Sequence, residues 1–189
     1  MPRAGLSPGA VVDAAISLVD ASGPDKLTLA AVAAATGVAT PSLYKHISSV
    51  DELFRLVAIR SMNELADRLT AAVLGLSGGQ ALRALMVAYR DYAVAYPHRY
   101  AAIPQHPVSD AELDAAGQRV LTVILAVLGG AGLTGADAIH AARCVRAAMH
   151  GFAALQAAGA FQLAEGLDES YDLLIHLISP LASPSPARG

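Results

Sequence analysis

Cysteine and charged residues are scarce in this sequence. Cys144 is the only cysteine, so a disulfide within the chain is excluded, and we expect its thiol to be reduced and packed as a small apolar group. A secretory signal peptide is not expected either, because Asp13 interrupts the first apolar stretch and only Arg3 precedes it as a basic residue. Both features favour a cytoplasmic protein.

The low charge also bears on the class of partner. Only 15% of the residues are charged and the formal net charge is −3, which counts against a nucleic-acid-binding protein. The first fifty residues are close to neutral, since three aspartates balance Arg3, Lys26 and Lys45. For a DNA-binding protein we would therefore expect modest affinity and a weak dependence on salt, because few cations are available to neutralise phosphates.

Two uncharged runs, residues 120–136 and 147–164, approach the length of a membrane span. The first contains four glycines, and the second is rich in alanine and contains His150 and two glutamines. We interpret both as helices buried in a bundle or a dimer, so no membrane partner is expected.

Apolar residues recur at helical spacing along the chain, and no segment alternates as a strand does. Ser7 and Pro8 are expected to begin the first helix, and Gly23 to end it. Its predicted buried stripe consists of Val11, Val12, Ala15, Ile16 and Val19. Further on, capping-box spacing is present in Ser49 with Glu52 and in Ser109 with Glu112, and Asp168 is expected to cap the last helix.

Residues 27–47, LTLAAVAAATGVATPSLYKHI, predict two short helices joined by a tight turn. Thr28 is expected to cap the first helix, and Gly37 to end it with a positive φ. In the second helix the predicted inward row is Val38, Leu43 and Ile47. Leu43 and Ile47 lie one turn apart, which fixes how the helix presents its other face. This layout is typical of a helix-turn-helix, whose second helix enters the major groove of DNA.

The other side chains of this segment face outward and suit a DNA surface. A lysine, a tyrosine and a histidine can contact phosphates, and a helix N-terminus favours an anion. Two short hydroxyl side chains can reach base edges, and a proline ring can lie against a thymine methyl. The predicted DNA contacts are Thr28, Thr40, Pro41, Ser42, Tyr44, Lys45 and His46. The alternative is a plain helical hairpin with a solvated outer face.

The segment GVATPSLYKHISSVDELF, residues 37–54, resembles the DNA-binding segment of TetR-type (tetracycline-repressor-like) transcriptional regulators, and its LYKH run is the most specific part. The family usually reads S-P-G-x-L-Y-x-H-F here. Ala39, Thr40 and Pro41 depart slightly from that pattern, and Ile47 replaces an aromatic residue. These departures affect the base-reading end, so they bear on the operator sequence more than on the fold.

Residues 147–161 and 168–178 resemble the C-terminal domain of a TetR subgroup known for a Trp-His-Gly motif. Met149 stands where the subgroup has tryptophan, followed by His150 and Gly151 as expected. The resemblance implies an effector pocket among the later helices, for which the candidate residues are Tyr89, Tyr92, Gln118, Met149 and His150. It also implies a dimer interface formed by the last two helices, for which the candidates are Gly151, Phe152, Leu155, Gly159, Tyr171, Leu174, Ile175 and Ile178.

The resemblance implies an all-α fold of about nine helices in three parts. These are a three-helix helix-turn-helix domain (residues 1–48), an antiparallel helical bundle for ligand binding and dimerisation (residues 49–183) and a disordered tail (residues 184–189). The implied function is that of a repressor which binds a palindromic double-stranded DNA operator as a homodimer and is released by an unknown small-molecule effector. No catalysis, cofactor or metal is expected.

Two other classes of function remain open. Gly130, Gly132 and Gly135 fit the G-x-G-x-x-G pattern of a dinucleotide-binding oxidoreductase, although no acidic residue lies between Asp137 and Glu165 to bind a ribose. We expect these glycines to form a helix end and an interhelical turn instead. The second alternative is a helical interaction protein that does not bind DNA.

Overall fold

The computed structural model describes residues 6–104 and 109–182, and within them the chain is entirely helical, with no strand. The predicted all-α class is therefore confirmed. Two 3-10 turns, Pro24–Lys26 and Ser179–Ala182, accompany nine α-helices in these residues. The helices are α1 (Pro8–Ser22), α2 (Leu29–Thr36), α3 (Thr40–Leu43), α4 (Val50–Val73), α5 (Gly78–Ala95), α6 (Pro97–Ala101), α7 (Ala111–Gly130), α8 (Gly135–Ala157) and α9 (Leu167–Ile178). Arg3 and the predicted disordered tail lie outside the described residues.

The described residues form two compact units. The first contains the chain as far as Met62 together with the segment Tyr96–Asp114, and the second contains the segment Asn63–Ala95 and the chain from Ala115 onward. The first unit is thus larger than the 1–48 domain, since it includes the first half of α4, the whole of α6 and the beginning of α7. The domain boundary after residue 48 stays a prediction.

The first unit is built on α1, which packs against α2 and α6. The Ser7 hydroxyl accepts a hydrogen bond from the Ala10 amide at 3.2 Å, Pro8 occupies the first turn, and Gly23 ends the helix with φ +83°. The buried residues of α1 are the predicted stripe, Val11, Val12, Ala15, Ile16 and Val19. This part of the prediction is confirmed, because caps and one apolar face are local properties of the sequence.

Arg99 and His98 hold α6 against the end of α1. The buried Arg99 guanidinium donates from Nε to Asp20 Oδ1 at 3.0 Å and from Nη2 to Oδ2, and it lies 4.6 Å from the centre of the Tyr96 ring. The His98 Nδ1 atom lies 3.1 Å from the Asp20 carbonyl oxygen. A bidentate pair of this kind is directional as well as strong. These contacts explain why α6 belongs to the first unit although α5 precedes it in the chain.

Arg55 on α4 contacts two carboxylates at the beginning of α7. Its Nε donates to Asp110 Oδ2 and its Nη2 to Glu112 Oε2. Asp110 also caps α7, because its Oδ1 accepts from the Leu113 amide at 2.8 Å. The Arg55 guanidinium, with help from that amide, holds the pKa of Asp110 below its ordinary value. The predicted cap of Ser109 with Glu112 is therefore wrong, since Asp110 supplies the cap and Glu112 pairs with Arg55.

In the second unit α5 packs against α8, and the Tyr171 hydroxyl of α9 donates to the Met86 carbonyl at 2.7 Å. Gly166, and not Asp168, occupies the N-cap position of α9. Asp168 lies inside the first turn, where it pairs with Arg90. Cys144 is exposed on α8, so the expectation of a buried thiol is wrong.

The glycines after residue 128 form a helix end and an interhelical turn, as predicted. Gly130 is the last residue of α7, Gly132 has φ +90°, and Gly135 begins α8. A dinucleotide-binding unit needs a strand before its glycines, and here α7 occupies that position. The dinucleotide-binding alternative is therefore wrong.

Among the described residues, α7 is the one helix long and apolar enough to cross a membrane by length and composition. Core helices pass the same test. The two uncharged runs do not form continuous spans, because the first is divided between α7 and α8 and the second leaves α8 after Ala157.

Replacing Arg55 by glutamine should lower the free energy of unfolding more at neutral pH than at about pH 3. The folded-state pKa of Asp110 is lowered, so the ion pair contributes fully above the unfolded-state pKa of about 3.9 and its contribution is lost as the pH falls through the folded-state value. Urea unfolding of both proteins at both pH values would measure this.

The matched control is Arg60→Gln. Arg60 pairs with Asp13 at 3.1 Å, and both side chains are more exposed than those of Arg55 and Asp110. This substitution should cost little at either pH. If Arg55→Gln costs the same at both pH values, its ion pair with Asp110 does not stabilise the folded state.

Candidate nucleic-acid interface

The first helix of the predicted helix-turn-helix is α2, and its ends follow from local chemistry. The Thr28 hydroxyl accepts a hydrogen bond from the Ala31 amide at 3.1 Å, which is the predicted cap. Gly37 ends the helix in the left-handed region with φ +69°, and the Val38 amide donates to the Ala33 carbonyl at 3.0 Å. Glycine adopts this conformation with the least strain, so the turn is encoded mainly by a single residue.

The second helix is shorter than its pattern predicts. The α-helix α3 has four residues, with Ala39 as N-cap and Pro41 in its first turn. One further turn follows, in which the Leu43 carbonyl accepts hydrogen bonds from the His46 amide at 2.8 Å and the Ile47 amide at 3.0 Å. The backbone therefore remains coiled as far as Ile47, and we call residues 40–47 the recognition segment.

Leu43 and Ile47 anchor the recognition segment. Both are buried in an apolar cluster that also contains Val32 of α2 and Leu53 and Val57 of α4. The predicted inward row is thus confirmed for Leu43 and Ile47, whereas Val38 lies before α3 and is only partly buried. Because the two residues lie one turn apart, their burial determines which side of the segment faces the solvent.

The outward side chains are accessible. Tyr44 is 58% exposed, Pro41 and Lys45 are exposed, and Thr40, Ser42 and His46 are partly exposed. The structure therefore brings six of the seven predicted contact residues together on the recognition segment, while Thr28 lies at the N-terminus of α2, where it is exposed. Their contact with DNA stays a prediction.

The next helix, α4, begins directly after the recognition segment and is firmly capped. The Ser49 hydroxyl accepts from the Glu52 amide at 3.0 Å, as the capping-box spacing predicts. The Glu52 carboxylate instead accepts from the hydroxyl and the amide of Ser48, which lowers the pKa of Glu52. A capped helix therefore begins just after the C-terminal end of the recognition segment.

The candidate effector residues lie in different surroundings. Tyr89, Tyr92 and Met149 are buried in the second unit, where the Arg68 guanidinium lies 5.6 Å from the centre of the Tyr92 ring. His150 is half-buried, and its pKa is lowered, first by burial and then by the nearby charge of Arg146. Gln118 is exposed on α7. The five candidates therefore differ in exposure: three are buried, one is half-buried and one is exposed.

The candidate dimer residues fall into two groups. Tyr171 and Ile175 are only 1% and 2% exposed within their own chain, so they have almost no surface left for a partner. Burial also raises the pKa of the Tyr171 phenol. The remaining candidates keep accessible surface, namely Gly151, Phe152, Leu155, Gly159, Leu174 and Ile178.

Three exposed leucines near these residues were missed by the sequence analysis. Leu173 and Leu177 lie one turn apart on α9, and Leu163 lies in the connection before it. The i, i+4 spacing of Leu173 and Leu177 could be seen in the sequence. Tyr171 and Ile175 have the same spacing, so spacing alone does not show which of the two pairs is buried within the chain.

Two family models match the chain. One, described as "Bacterial regulatory proteins, tetR family", matches residues 11–57, and the other, described as "Tetracyclin repressor-like, C-terminal domain", matches residues 82–178. An uncharacterized HTH-type transcriptional regulator of Mycobacterium tuberculosis is 35% identical over 82% of this chain and 72% of its own. Another, from Bacillus subtilis, is 32% identical over 92% of this chain and 91% of its own.

Solved structures share the fold. A tetR-family transcriptional regulator from Streptomyces coelicolor aligns with a TM-score of 0.72 at 21% identity, over 92% of this chain and 81% of that chain. A TetR variant from Acinetobacter baumannii, crystallised in complex with minocycline, aligns with a TM-score of 0.67 at 20% identity. The alignment covers 94% of this chain and 95% of that chain. The chain belongs to the TetR family of transcriptional regulators, which have a DNA-binding and a ligand-binding domain.

Proposed function

We propose that the recognition segment enters the major groove of an operator and that its outward side chains contact the DNA. The observation that carries this proposal is the division of the segment between buried Leu43 and Ile47 and exposed Tyr44 and Lys45. Lys45 supplies a charge for one phosphate, and Thr40 and Ser42 are short enough for base edges. Thr28 places the N-terminus of α2 against a second phosphate.

The operator is a palindrome that is bound by a homodimer. Family members usually act as dimers, and α8 and α9 carry exposed apolar residues suited to a second copy, namely Leu155, Leu173 and Leu177. A two-fold dimer presents two recognition segments, and these fit half-sites about one DNA turn apart, near 34 Å. Dimerisation also doubles the number of contacts, which offsets the near-neutral charge of each DNA-binding unit.

The regulator acts as a repressor that a small-molecule effector releases. An effector releases DNA only if it binds more tightly to the conformation in which the two recognition segments are wrongly spaced. The TetR variant bound to minocycline supports an effector site in this fold. In this chain the candidates around the buried Met149 are Tyr89, Tyr92 and His150, with Gln118 as an exposed residue.

We also place the C-terminal domain in the subgroup with a Trp-His-Gly motif. Met149, His150 and Gly151 occupy consecutive positions on α8, with Met149 fully buried and His150 half-buried. An unbranched methionine can fill an irregular core site that a larger ring would occupy. The protein works in the cytoplasm, where its DNA target is, and we assign it no catalytic step.

Replacing Tyr44 and Lys45 together by alanine should weaken operator binding by at least about tenfold at constant salt. It should also reduce the slope of log affinity against log salt by about 2 for the dimer, because each copy loses one phosphate contact. The DNA would be selected from fragmented genomic DNA of the host, and binding measured by fluorescence anisotropy.

The charge-matched control is Arg143→Ala on α8 in the other unit, where Arg143 is exposed. This control should leave both the affinity and the salt slope unchanged. If the double variant binds as well as the unchanged protein, the recognition segment does not contact DNA. If no genomic fragment is retained at all, the alternative of a helical interaction protein is favoured.

Replacing Leu173 and Leu177 together by aspartate should convert the dimer to a monomer in sedimentation velocity. Both side chains are exposed in one chain, so the substitution leaves the fold of that chain intact but puts four charges into an apolar interface. Leu74→Asp is the control, because Leu74 is 81% exposed in the turn after α4. A double variant that stays dimeric would place the dimer interface away from this face of α9.

A further inference from the structure

The beginning of α3 presents aliphatic carbon to the solvent rather than charge. Ala39 and Pro41 are exposed and Thr40 is partly exposed, so two methyl groups and a pyrrolidine ring follow one another along the chain. We call residues 39–41 the tip. In a helix-turn-helix, the N-terminal residues of the second helix are those that contact base edges. All three positions depart from the usual family pattern, so this tip is particular to this chain.

The tip is held in a defined conformation. The Ser42 amide donates to the Ala39 carbonyl at 2.8 Å, which closes the backbone turn around Thr40 and Pro41. The ring of a proline also fixes its φ angle, so the direction of the Pro41 ring varies little. This matters because an apolar contact is short-ranged and distinguishes two bases only when its position is fixed.

The arginines of this region are engaged elsewhere. The described part of the first unit contains Arg55, Arg60 and Arg99, and each is ion-paired with one or two carboxylates of the same unit. The commonest specific contact in the major groove is a bidentate arginine on guanine O6 and N7. None of these three arginines can make that contact without giving up an existing ion pair.

Side-chain amides, which read adenine, are missing from the same region. The described residues of the first unit, 6–62, 96–104 and 109–114, contain neither asparagine nor glutamine. A bidentate contact with adenine N6 and N7 needs such an amide. The exposed residues of α2 are three alanines, and its one polar side chain, Thr36, donates to the Val32 carbonyl at 2.8 Å. The first helix of the pair therefore offers no group that identifies a base.

The polar groups of the recognition segment identify a base only weakly. The Thr40 and Ser42 hydroxyls can donate or accept, so they do not distinguish the base pairs by themselves. The side chains of Tyr44, Lys45 and His46 suit phosphates, which carry no sequence information. What remains at the tip is apolar surface, and the apolar feature of the major groove is the 5-methyl group of thymine.

We propose that the tip selects half-sites by packing on the 5-methyl groups of thymines, with the Pro41 ring and the Thr40 γ-methyl group as the contacting surfaces. This inference rests on the proposed entry of the recognition segment into the major groove and names what the segment reads there. The operators that follow have thymines at the bases facing the tip in both half-sites. Burial of Leu43 and Ile47 supports this readout, since an apolar contact of about 4 Å tolerates little movement.

Uracil is the direct probe, because it differs from thymine only in lacking the methyl group. In an operator selected from genomic DNA, each thymine of both half-sites would be replaced in turn by deoxyuridine, and binding measured by fluorescence anisotropy at constant salt. At the thymines that face the tip, the affinity should fall about fourfold for each buried methyl group that is lost. With both half-sites changed, the loss should be about fifteenfold.

Guanine readout is tested on the same duplex. Replacing the guanines of the half-sites by 7-deazaguanine removes the N7 acceptor that an arginine or a lysine would use. Because the tip makes no such contact, this replacement should change the affinity by less than about twofold.

The double substitution Thr40→Ser with Pro41→Ala tests whether the tip causes the uracil effect. It keeps the hydroxyl at position 40 and a residue with high helix propensity at position 41, but it removes the γ-methyl group and the ring. This variant should lose most of the difference between thymine and uracil operators. The matched control is Tyr44→Phe, which removes a hydrogen bond to phosphate and should weaken binding to both operators by the same factor.

The outcomes separate this inference from the proposed DNA contact. If no uracil substitution weakens binding while Tyr44→Ala with Lys45→Ala does, the segment contacts DNA without reading thymine methyl groups, and the inference is refuted. It is also refuted if 7-deazaguanine costs more affinity than uracil, or if the uracil effect persists in the Thr40→Ser, Pro41→Ala variant. If the protein retains no DNA, the proposed function fails and the present inference fails with it.

Discussion

The recognition segment depends on the burial of two side chains, Leu43 and Ile47. A helix of four residues has no stability of its own, because nucleation costs more than so few hydrogen bonds return. The conformation of α3 is therefore imposed by the apolar cluster into which these side chains insert. That cluster is built on the stripe of α1, so the orientation of Tyr44 and Lys45 is set by residues more than twenty positions earlier in the chain.

The anchoring of the recognition segment matters because the first unit has little charge with which to attract DNA. A strongly basic domain can bind phosphates even if individual side chains are mobile, since the attraction is long-ranged. A nearly neutral domain must rely on hydrogen bonds and short-range contacts, which are effective only when the donors already lie in the correct positions. The firm anchoring of the recognition segment and its low content of cations are therefore consistent with each other.

The sequence predicted those features that depend on neighbouring residues. The buried stripe of α1, the cap at Thr28 and the left-handed turn at Gly37 follow from spacing and from the properties of single residues. The contacts made by Arg55, Arg90 and Arg99 could not be predicted, because each joins groups more than fifty positions apart in the chain. Asp110 rather than Ser109 caps α7, a choice that local spacing leaves undecided.

The sequence also did not predict which side of a helix would be buried. Cys144 was expected to pack as a small apolar group because its surroundings are helical, but the buried residues of α8 form one side of the helix and Cys144 is not among them. Similarly, α9 has apolar residues on two sides, and the spacing alone does not show which side meets its own chain. The hydrogen bond from Tyr171 to Met86 and the ion pairs of Arg83 and Arg90 decide the matter in the structure.

The two-sided character of α9 links folding to assembly. One side completes the core of its own chain, and the other presents leucines whose exposure to water is unfavourable. Because a partner that binds only the folded chain stabilises it by mass action, the proposed dimer would make the free energy of unfolding of the second unit increase with protein concentration. By contrast, α1 has a single apolar side, which is buried within its own chain, so the helix that supports the recognition segment gains nothing directly from assembly. In the proposed dimer, the recognition segment is thus supported by an element whose packing does not depend on assembly, whereas α9 would be shared between its own core and the interface.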